Sequence, residues 1–151
     1  MRVFLATDHA GFETKEAVRT RLVAEEYTVD DLGARTFDPI DDYPAYMHSL
    51  ALQVSRDSGS MGIAFGGSGQ GEAIVLNRQS GIRAIVYPAA NVELIVLGRE
   101  HNNANVLPIG ARFLSVEEVW EAVDLFLRTP FPGDSRHVRR LGQIDVVEGA
   151  V

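Results

Sequence analysis

Short apolar runs along the chain alternate with longer segments in which apolar residues recur every three or four positions. The runs predict five strands, at residues 2–7, 27–33, 61–66, 82–87 and 105–110. The longer segments predict five helices, at residues 11–26, after residue 44, at 72–77, across 89–100 and at 115–129. Strands that alternate with helices form a parallel sheet with right-handed crossovers. We therefore expect one doubly wound α/β domain over residues 1–151, with a five-stranded parallel sheet and a C-terminal helical tail from about residue 134.

The first predicted helix carries the single lysine of a chain that has thirteen arginines. Ala17, Val18 and Leu22 share one apolar face of this helix, and we expect Lys15 on its solvent face, among Glu and Arg. A lysine in water keeps its proton near neutral pH, so Schiff-base chemistry is not expected.

A glycine-rich loop, "GGSGQG" (66–71), follows the third predicted strand and is followed at once by Glu72. In a doubly wound fold, ligands bind beyond the carboxyl ends of the strands, which is where this loop lies. Three interpretations are open: a nucleotide phosphate site, a tight turn, and an anion hole for a reaction intermediate. The loop has no Walker lysine and does not follow the first strand, which disfavours nucleotides. Glu72, as a possible proton carrier, favours the anion hole.

Other polar residues fall at strand ends or in the tail. They are Asp8 and His9 after the first strand, Tyr43 in "DDYP", His101 and Asn102 in "REHNNANVL", Arg112 after the fifth strand, and Arg136, His137 and Arg140 in "SRHVRRL". Each has a structural alternative: a helix cap for Asp8, a core tyrosine, turn chemistry for the asparagines and a solvated basic end. The arginines suit a phosphate clamp, because guanidinium groups bind phosphate in a fork. The sequence has no HExxH, EF-hand or paired-histidine spacing, so no metal site is predicted.

Composition narrows the setting. The chain has no cysteine, which excludes disulfides, thiolate catalysis and cysteine metal sites. A net charge of −7 argues against nucleic acid as a partner. The N-terminus turns polar after too few apolar residues to be a signal peptide, and no apolar run reaches membrane-spanning length. We therefore expect a cytoplasmic protein that binds neither nucleic acid nor membrane.

Taken together and in order, the motifs resemble the ribose-5-phosphate isomerase type B family, which includes galactose-6-phosphate isomerase subunits. The motifs are "DHAGF", "DYP", "GGSGQGEAI", "GIRA", "REHNNANVL", "GAR" and "RHVRR", collinear from about residue 3 to about residue 141. The resemblance implies a Rossmann-like three-layer domain and a homodimer, in some members a tetramer, with active sites across the dimer interface. It also implies an enzyme without metal or cofactor.

The chain departs from the family pattern at two places. Many members carry a catalytic Cys at the position of Gly66, and this chain resembles instead a subgroup that uses the Glu after the last glycine as the base, here Glu72. The stretch "YPAANVELIVLG" (87–98) looks bulkier than the Ala-rich segment that usually precedes the "R-x-HN" motif.

The resemblance also implies a role for each candidate residue. Glu72 and His101 are the expected catalytic residues, with His101 opening the sugar ring. The expected substrate-binding residues are Asp8, His9, Tyr43, Gly67, Ser68, Gly69, Gly71, Asn102, Arg112, Arg136, His137 and Arg140. Within this set, the glycine loop and Asn102 hold the anionic intermediate, whereas His9 and the arginines bind phosphate, with His137 nearby.

The expected reaction interconverts ribose 5-phosphate and ribulose 5-phosphate, by ring opening and proton transfer through an enediolate. Two alternatives stay open: an isomerase of a six-carbon sugar phosphate, such as allose or galactose 6-phosphate, and a noncatalytic sugar-phosphate-binding subunit. Hydride transfer with a bound dinucleotide is a more distant one.

Overall fold

The computed structural model describes residues 1–89 and 91–144. Its centre is one sheet of four parallel strands in the order β2-β1-β3-β4. The strands are β1 (Arg2–Thr7), β2 (Thr28–Asp31), β3 (Met61–Gly66) and β4 (Val106–Gly110). Because all four run in one direction, their carboxyl ends form a single edge, as the α/β prediction requires.

Within the described residues, six α-helices surround the sheet. They are α1 (Phe12–Ala24), α2 (Tyr43–Arg56), α3 (Gln70–Leu76), α4 (Glu93–Asn102), α5 (Val116–Arg128) and α6 (Ser135–Leu141), and a 3-10 turn (His9–Gly11) precedes α1. α5 begins with a capping box between Ser115 and Glu118, and α6 lies where the tail helix was predicted. Across the described residues, no helix combines the length and the apolar character that spanning a membrane requires.

The core has two parts, one on each face of the sheet. On one face Leu5, Ile63 and Leu107 pack against α1, α4 and α5, whereas Phe4 and Ala64 face α2 and α3 on the other. Successive side chains of a strand point to opposite faces, so strands covered by helices on both sides are apolar throughout. This is the three-layer architecture.

The predicted fifth strand at residues 82–87 is wrong, and the predicted strand at 105–110 becomes β4. The segment runs beside β4 but makes only two isolated bridges with it, Ala84 to Val106 and Tyr87 to Ile109. Pro108 lies between the two bridged positions of β4 and has no N–H to donate, so the ladder is interrupted. On the side away from β4, the side chain of Asn77 bonds both backbone groups of Ala84, at 2.9 and 3.0 Å.

The predicted solvent exposure of Lys15 is also wrong, because its side chain is fully buried. Its ammonium group pairs with Asp31 and Glu16 and donates to the backbone oxygen of Ala34 at 2.9 Å. Lys15 precedes Val18 by three residues, so the helical period places the two on one face. Paired on all sides, Lys15 joins α1 to the end of β2.

The helix predicted across 89–100 begins later and ends later, as α4. Asn103, which has a positive φ of 44°, ends it. His101 and Asn102 therefore lie in the last turn of a helix, immediately before β4.

Candidate active site

Eight of the predicted site residues line one cavity at the carboxyl edge of the sheet. Its volume is about 420 Å³, and these residues are Asp8, His9, Tyr43, Gly67, Ser68, Gly71, Glu72 and Arg112. They come from the ends of β1, β3 and β4 and from the start of α2 and α3. Ala10 and Phe113 also line the cavity; they flank predicted residues, and no sequence signal singled them out.

Glu72 is buried at this cavity with its carboxylate over Gly66. A Cβ added to Gly66 would lie 1.9 Å from Oε1 of Glu72, so the carboxylate occupies the space of a side chain at residue 66. Burial raises the pKa of the Glu72 carboxyl above its ordinary value, and the charge of Asp8 adds to the shift. Hydrogen bonds from the backbone of Glu72 itself and of Gly69 offset part of it.

The glycine loop is fixed from the β4 side. The N–H of Ala111 donates to the carbonyl of Gly66 at 2.8 Å, and that of Arg112 donates to the carbonyl of Gly67 at 3.3 Å. In a trans peptide the N–H points away from the C=O, so the N–H groups of Gly67 and Ser68 point away from residues 111 and 112. Both residues line the cavity. This loop can therefore present N–H groups to an anion.

Gly69 does not line the cavity, unlike the other predicted residues of the loop. It has a φ of +77°, a backbone conformation that favours glycine, and a Cβ there would lie 3.2 Å from the backbone carbon of Ile109. Its contribution is to turn the chain into α3 close against β4. Two side chains cover the neighbouring glycines: the guanidinium of Arg112 lies over Gly67, and the hydroxyl of Tyr43 lies over Gly71.

Asp8 and His9 line the same cavity as the glycine loop, and each is also held by a hydrogen bond. Oδ1 of Asp8 accepts a hydrogen bond from the N–H of Ala10 at 2.9 Å, so the structural alternative, a cap, is also correct. The backbone N–H of His9 donates to Oδ1 of Asp41 at 2.9 Å, and Nδ1 of His9 lies 2.8 Å from the same oxygen. Asp41 was missed, although "DDYP" showed an acidic pair, because only a folded chain brings residues 9 and 41 together.

Asp8, His9 and Asp41 also form the one group of side chains in the described residues that could hold a metal ion. Their ligand atoms lie within 4.8 Å of one another. The prediction that the protein uses no metal stays a prediction.

A second group of predicted residues lies where α4 meets α6. The rings of His101 and His137 are stacked, with centroids 4.4 Å apart and an angle of 11° between planes. Nε of Arg136 donates to Nε2 of His137 at 3.1 Å. Burial, followed by the positive charges of Arg136 and His101, lowers the pKa of His137. The imidazole of His137 is thus disposed to be neutral, with Nε2 as an acceptor.

The remaining two predicted residues accompany this second group. Asn102 follows His101 and lines another cavity, of about 580 Å³, with Arg78 and Ile82 among its neighbours. Arg140 is exposed on α6, one turn after Arg136. Among the described residues, no hydrogen bond or ring contact joins this group to the first cavity.

The two groups lie at opposite edges of the sheet. α4 ends just before β4 begins, whereas Arg112 and the glycine loop lie where β4 and β3 end. At about 3.3 Å per residue, β4 alone separates the two edges by roughly 13 Å. One chain therefore does not unite His101 with Glu72.

The fold and the first cavity define an α/β protein that can bind an anion at the carboxyl edge of its sheet, beside a carboxyl group able to carry a proton. The model of the ribose/galactose isomerase family matches residues 3–144. The chain belongs to this family.

Individual relatives agree with the family match. The ribose-5-phosphate isomerase B of Mycolicibacterium paratuberculosis is 43% identical over 141 residues, which cover 93% of this chain and 87% of that protein. The crystal structure of ribose-5-phosphate isomerase B from Mycoplasma genitalium with bound ribulose 5-phosphate has a TM-score of 0.89 and 35% identity, covering 95% of this chain and 93% of that chain. The enzyme from Thermotoga maritima has a TM-score of 0.88 and 37% identity, covering 95% and 97%.

Proposed function

We propose that the protein is an aldose–ketose isomerase that interconverts ribose 5-phosphate and ribulose 5-phosphate. The family and the names of its relatives support the reaction class and the five-carbon substrate. The observation that carries the proposal is the buried carboxylate of Glu72, held over Gly66 beside a loop that presents backbone N–H groups.

Glu72 is the proton carrier in this proposal. It takes the proton from C2 of the open sugar and returns it to C1. The raised pKa of Glu72 lies nearer to neutral pH, and a general base is most effective when its pKa is near the working pH. Where many family members carry a Cys, this chain has Gly66, and the Glu72 carboxylate fills the space which that side chain would need.

The glycine loop stabilises the charge that develops on the sugar oxygen. A positioned general base supplies only about 10²–10⁴-fold, so much of the acceleration must come from binding the enediolate. In other enzymes a preorganised donor of this kind contributes about 3–4 kcal/mol. Gly67 and Ser68 supply N–H groups here, and Gly71 and Tyr43 close the neighbouring wall.

The phosphate group does not react, and its role is to position the sugar. Within one chain, His9 and Arg112 line the cavity and offer positive or hydrogen-bonding groups to it. Phosphate binding restrains C1 and C2 near Glu72, with Asp8 beside them, which converts binding energy into orientation.

A second copy of the chain supplies His101, Asn102, Arg136, His137 and Arg140. Leu94 and Leu97 are 52% and 37% exposed and share a helical face with His101, at spacings of three and four. Ile74, on α3 next to the cavity, is 63% exposed. A copy that covers this apolar face would also carry His101 into the interface, in a homodimer with two sites.

His101 then opens the furanose ring by moving a proton at the ring oxygen. Stacking on the buried ring of His137 fixes the plane of His101. Arg136 and Arg140 complete the phosphate clamp from the other subunit, while Asn102 adds a donor near the enediolate. A cytoplasmic location and independence of cofactors stay predictions from the sequence.

An isomerase assay in the presence of a chelator tests the proposal. Wild-type protein and Glu72→Gln are compared with ribose 5-phosphate and allose 6-phosphate. We expect turnover of ribose 5-phosphate by the wild type and its loss in Glu72→Gln, while binding of ribose 5-phosphate stays intact. Turnover of allose 6-phosphate alone would contradict the proposed five-carbon substrate. Binding of the sugar phosphates without any turnover would contradict the proposal that the protein is an enzyme.

A further inference from the structure

We propose that Asp41 is a positioning residue for His9 and thereby sets the affinity of the cavity for a phosphate group. The proposal rests on the proposed function in one respect, that His9 binds the phosphate of the substrate. Asp41 lies outside the cavity lining, so it acts through His9 rather than on the sugar.

One carboxylate oxygen fixes both the backbone and the ring of His9. Oδ1 of Asp41 accepts from the backbone N–H of His9 at 2.9 Å and lies 2.8 Å from Nδ1 of the ring. The side chain of Asp41 is only 6% exposed, whereas that of His9 is 29% exposed. A buried group therefore holds a partly exposed ring at the rim of the cavity.

The bond decides which ring nitrogen is available to a ligand. With Nδ1 donating to Asp41, Nε2 is the nitrogen left to face the cavity. To donate to a phosphate oxygen as well, the ring must carry protons on both nitrogens, and the carboxylate of Asp41 balances that positive charge. Without Asp41 the ring is free to rotate, and neither the tautomer nor the direction of Nε2 is fixed.

The rest of the Asp41 carboxyl is enclosed by the protein. Its second oxygen, Oδ2, is buried and accepts no hydrogen bond from the described residues. Burial, then the charge of Asp41 and a side-chain hydrogen bond with it, raise the pKa of the neighbouring Tyr46 phenol. Asp41 is thus enclosed between His9 and Tyr46, which suits a carboxylate that holds the His9 ring in one orientation.

A cation held by Asp8, His9 and Asp41 is the competing explanation of the same cluster. A metal bound to Nδ1 of His9 would have to replace the hydrogen bond to Asp41. The two explanations differ in one measurable way, because only the cation would make phosphate binding depend on a metal.

The experiment compares Asp41→Ala and Asp41→Asn with Asp38→Asn, which removes a charge from an exposed position of the same loop. Calorimetry measures binding of inorganic phosphate and of ribose 5-phosphate, and kinetics are measured with ribose 5-phosphate and with unphosphorylated ribose. We expect Asp41→Ala to weaken phosphate binding and raise KM about tenfold, with kcat within about threefold. Asp41→Asn should fall in between, and Asp38→Asn should match the wild type.

Activity with unphosphorylated ribose separates positioning from a structural role. A variant that distorts the whole cavity loses activity with both sugars, whereas loss of the phosphate contact spares ribose. Equal losses with both sugars, or unchanged phosphate binding in Asp41→Ala, would overturn the proposal. Loss of phosphate binding by chelator-treated wild-type protein would also overturn it, in favour of the cation.

A double-mutant cycle keeps the test decisive if Asp41→Ala does not fold. In a His9→Ala background, Asp41→Asn should have no further effect on phosphate binding, because its effect passes through the ring. Additive losses would contradict this. If the wild type binds phosphate in an Asp41-dependent way but never isomerises ribose 5-phosphate, the proposed function fails and the positioning role stands.

Discussion

The two groups of polar residues differ in how completely one chain builds them. Around Glu72, the loop backbone, the end of β4 and the side chains of Tyr43 and Arg112 are in contact, and the carboxylate is buried. Around His101, the contacts are the ring stack with His137 and the hydrogen bond from Arg136 to His137, and Arg140 is exposed on α6. In the proposed function, one chain builds nearly all of the site around Glu72, whereas the second group becomes part of a site only in the proposed homodimer.

The largest effect on activity is expected from a substitution in the first group, at Glu72. Glu72→Gln keeps the shape of the side chain and removes its ability to take a proton, so kcat should fall about 10²–10⁴-fold. Calorimetry should show ribose 5-phosphate bound with nearly wild-type affinity. A Glu72→Gln variant with wild-type kcat would show that Glu72 is not the proton carrier. The first group could then no longer be regarded as the more complete catalytic site.

Mixing two inactive variants tests whether the second group serves a partner. Glu72→Gln and His101→Ala should each be inactive alone. After subunit exchange, half of the dimers combine the two variants and contain one intact site each, so about a quarter of wild-type activity should return. No recovery in a mixture that mass spectrometry shows to contain mixed dimers would place both residues in one subunit's site.

Arg136→Ala should have a smaller effect, confined to binding. The loss of one charged partner of the phosphate should raise KM about tenfold and leave kcat within a few-fold. Arg139→Ala is the matched control, because Arg139 is exposed on the same helix and has no assigned role. Equal KM values in Arg136→Ala and Arg139→Ala would indicate that the arginines of α6 form a solvated surface and do not bind the phosphate.

The smallest effect concerns stability and its dependence on pH. Because the folded state raises the pKa of Glu72, ionisation of this group opposes folding, and the cost appears as pH rises from about 4.5 through the raised pKa. Glu72→Gln should therefore raise Tm at pH 7, with the gain vanishing below about pH 4. Thermal unfolding followed by circular dichroism measures both.

Glu118 provides a control of opposite sign. Hydrogen bonds from the backbone and side chain of Ser115 lower the pKa of Glu118, so its ionised form favours the folded state above about pH 4.5 and the benefit is lost as pH falls. Glu118→Gln should lower Tm at pH 7. If both substitutions shift Tm in the same direction, the burial of Glu72 does not act as described.

The sequence predicted the fold as far as apolar periodicity carries information. Four of the five expected strands and the alternation with helices are confirmed, because a strand buried on both faces must be apolar throughout. Residues 82–87 have the same composition, but Pro108 has no N–H to complete a regular ladder with them, and they make only isolated bridges with β4. The prediction that Lys15 is exposed followed from its being a lysine. Its spacing of three residues from Val18 instead places it on the buried face of α1.

The site residues could be predicted where a polar residue or a glycine loop directly follows a strand in the sequence. Asp8, the glycine loop and Arg112 each directly follow a strand, and the parallel sheet brings their ends together. Asp41 follows no strand, and its bond to His9 spans 32 residues along the chain. Contacts of that kind depend on the path of a loop, which local patterns do not specify.

The carboxylate over Gly66 has a consequence for chemical resistance. Peroxides and alkylating agents attack thiolates, and a chain with no cysteine offers them no such target. A cysteine introduced at residue 66 alone would collide with Oε1 of Glu72. A thiol at residue 66 would therefore displace the Glu72 carboxylate from its place at the cavity.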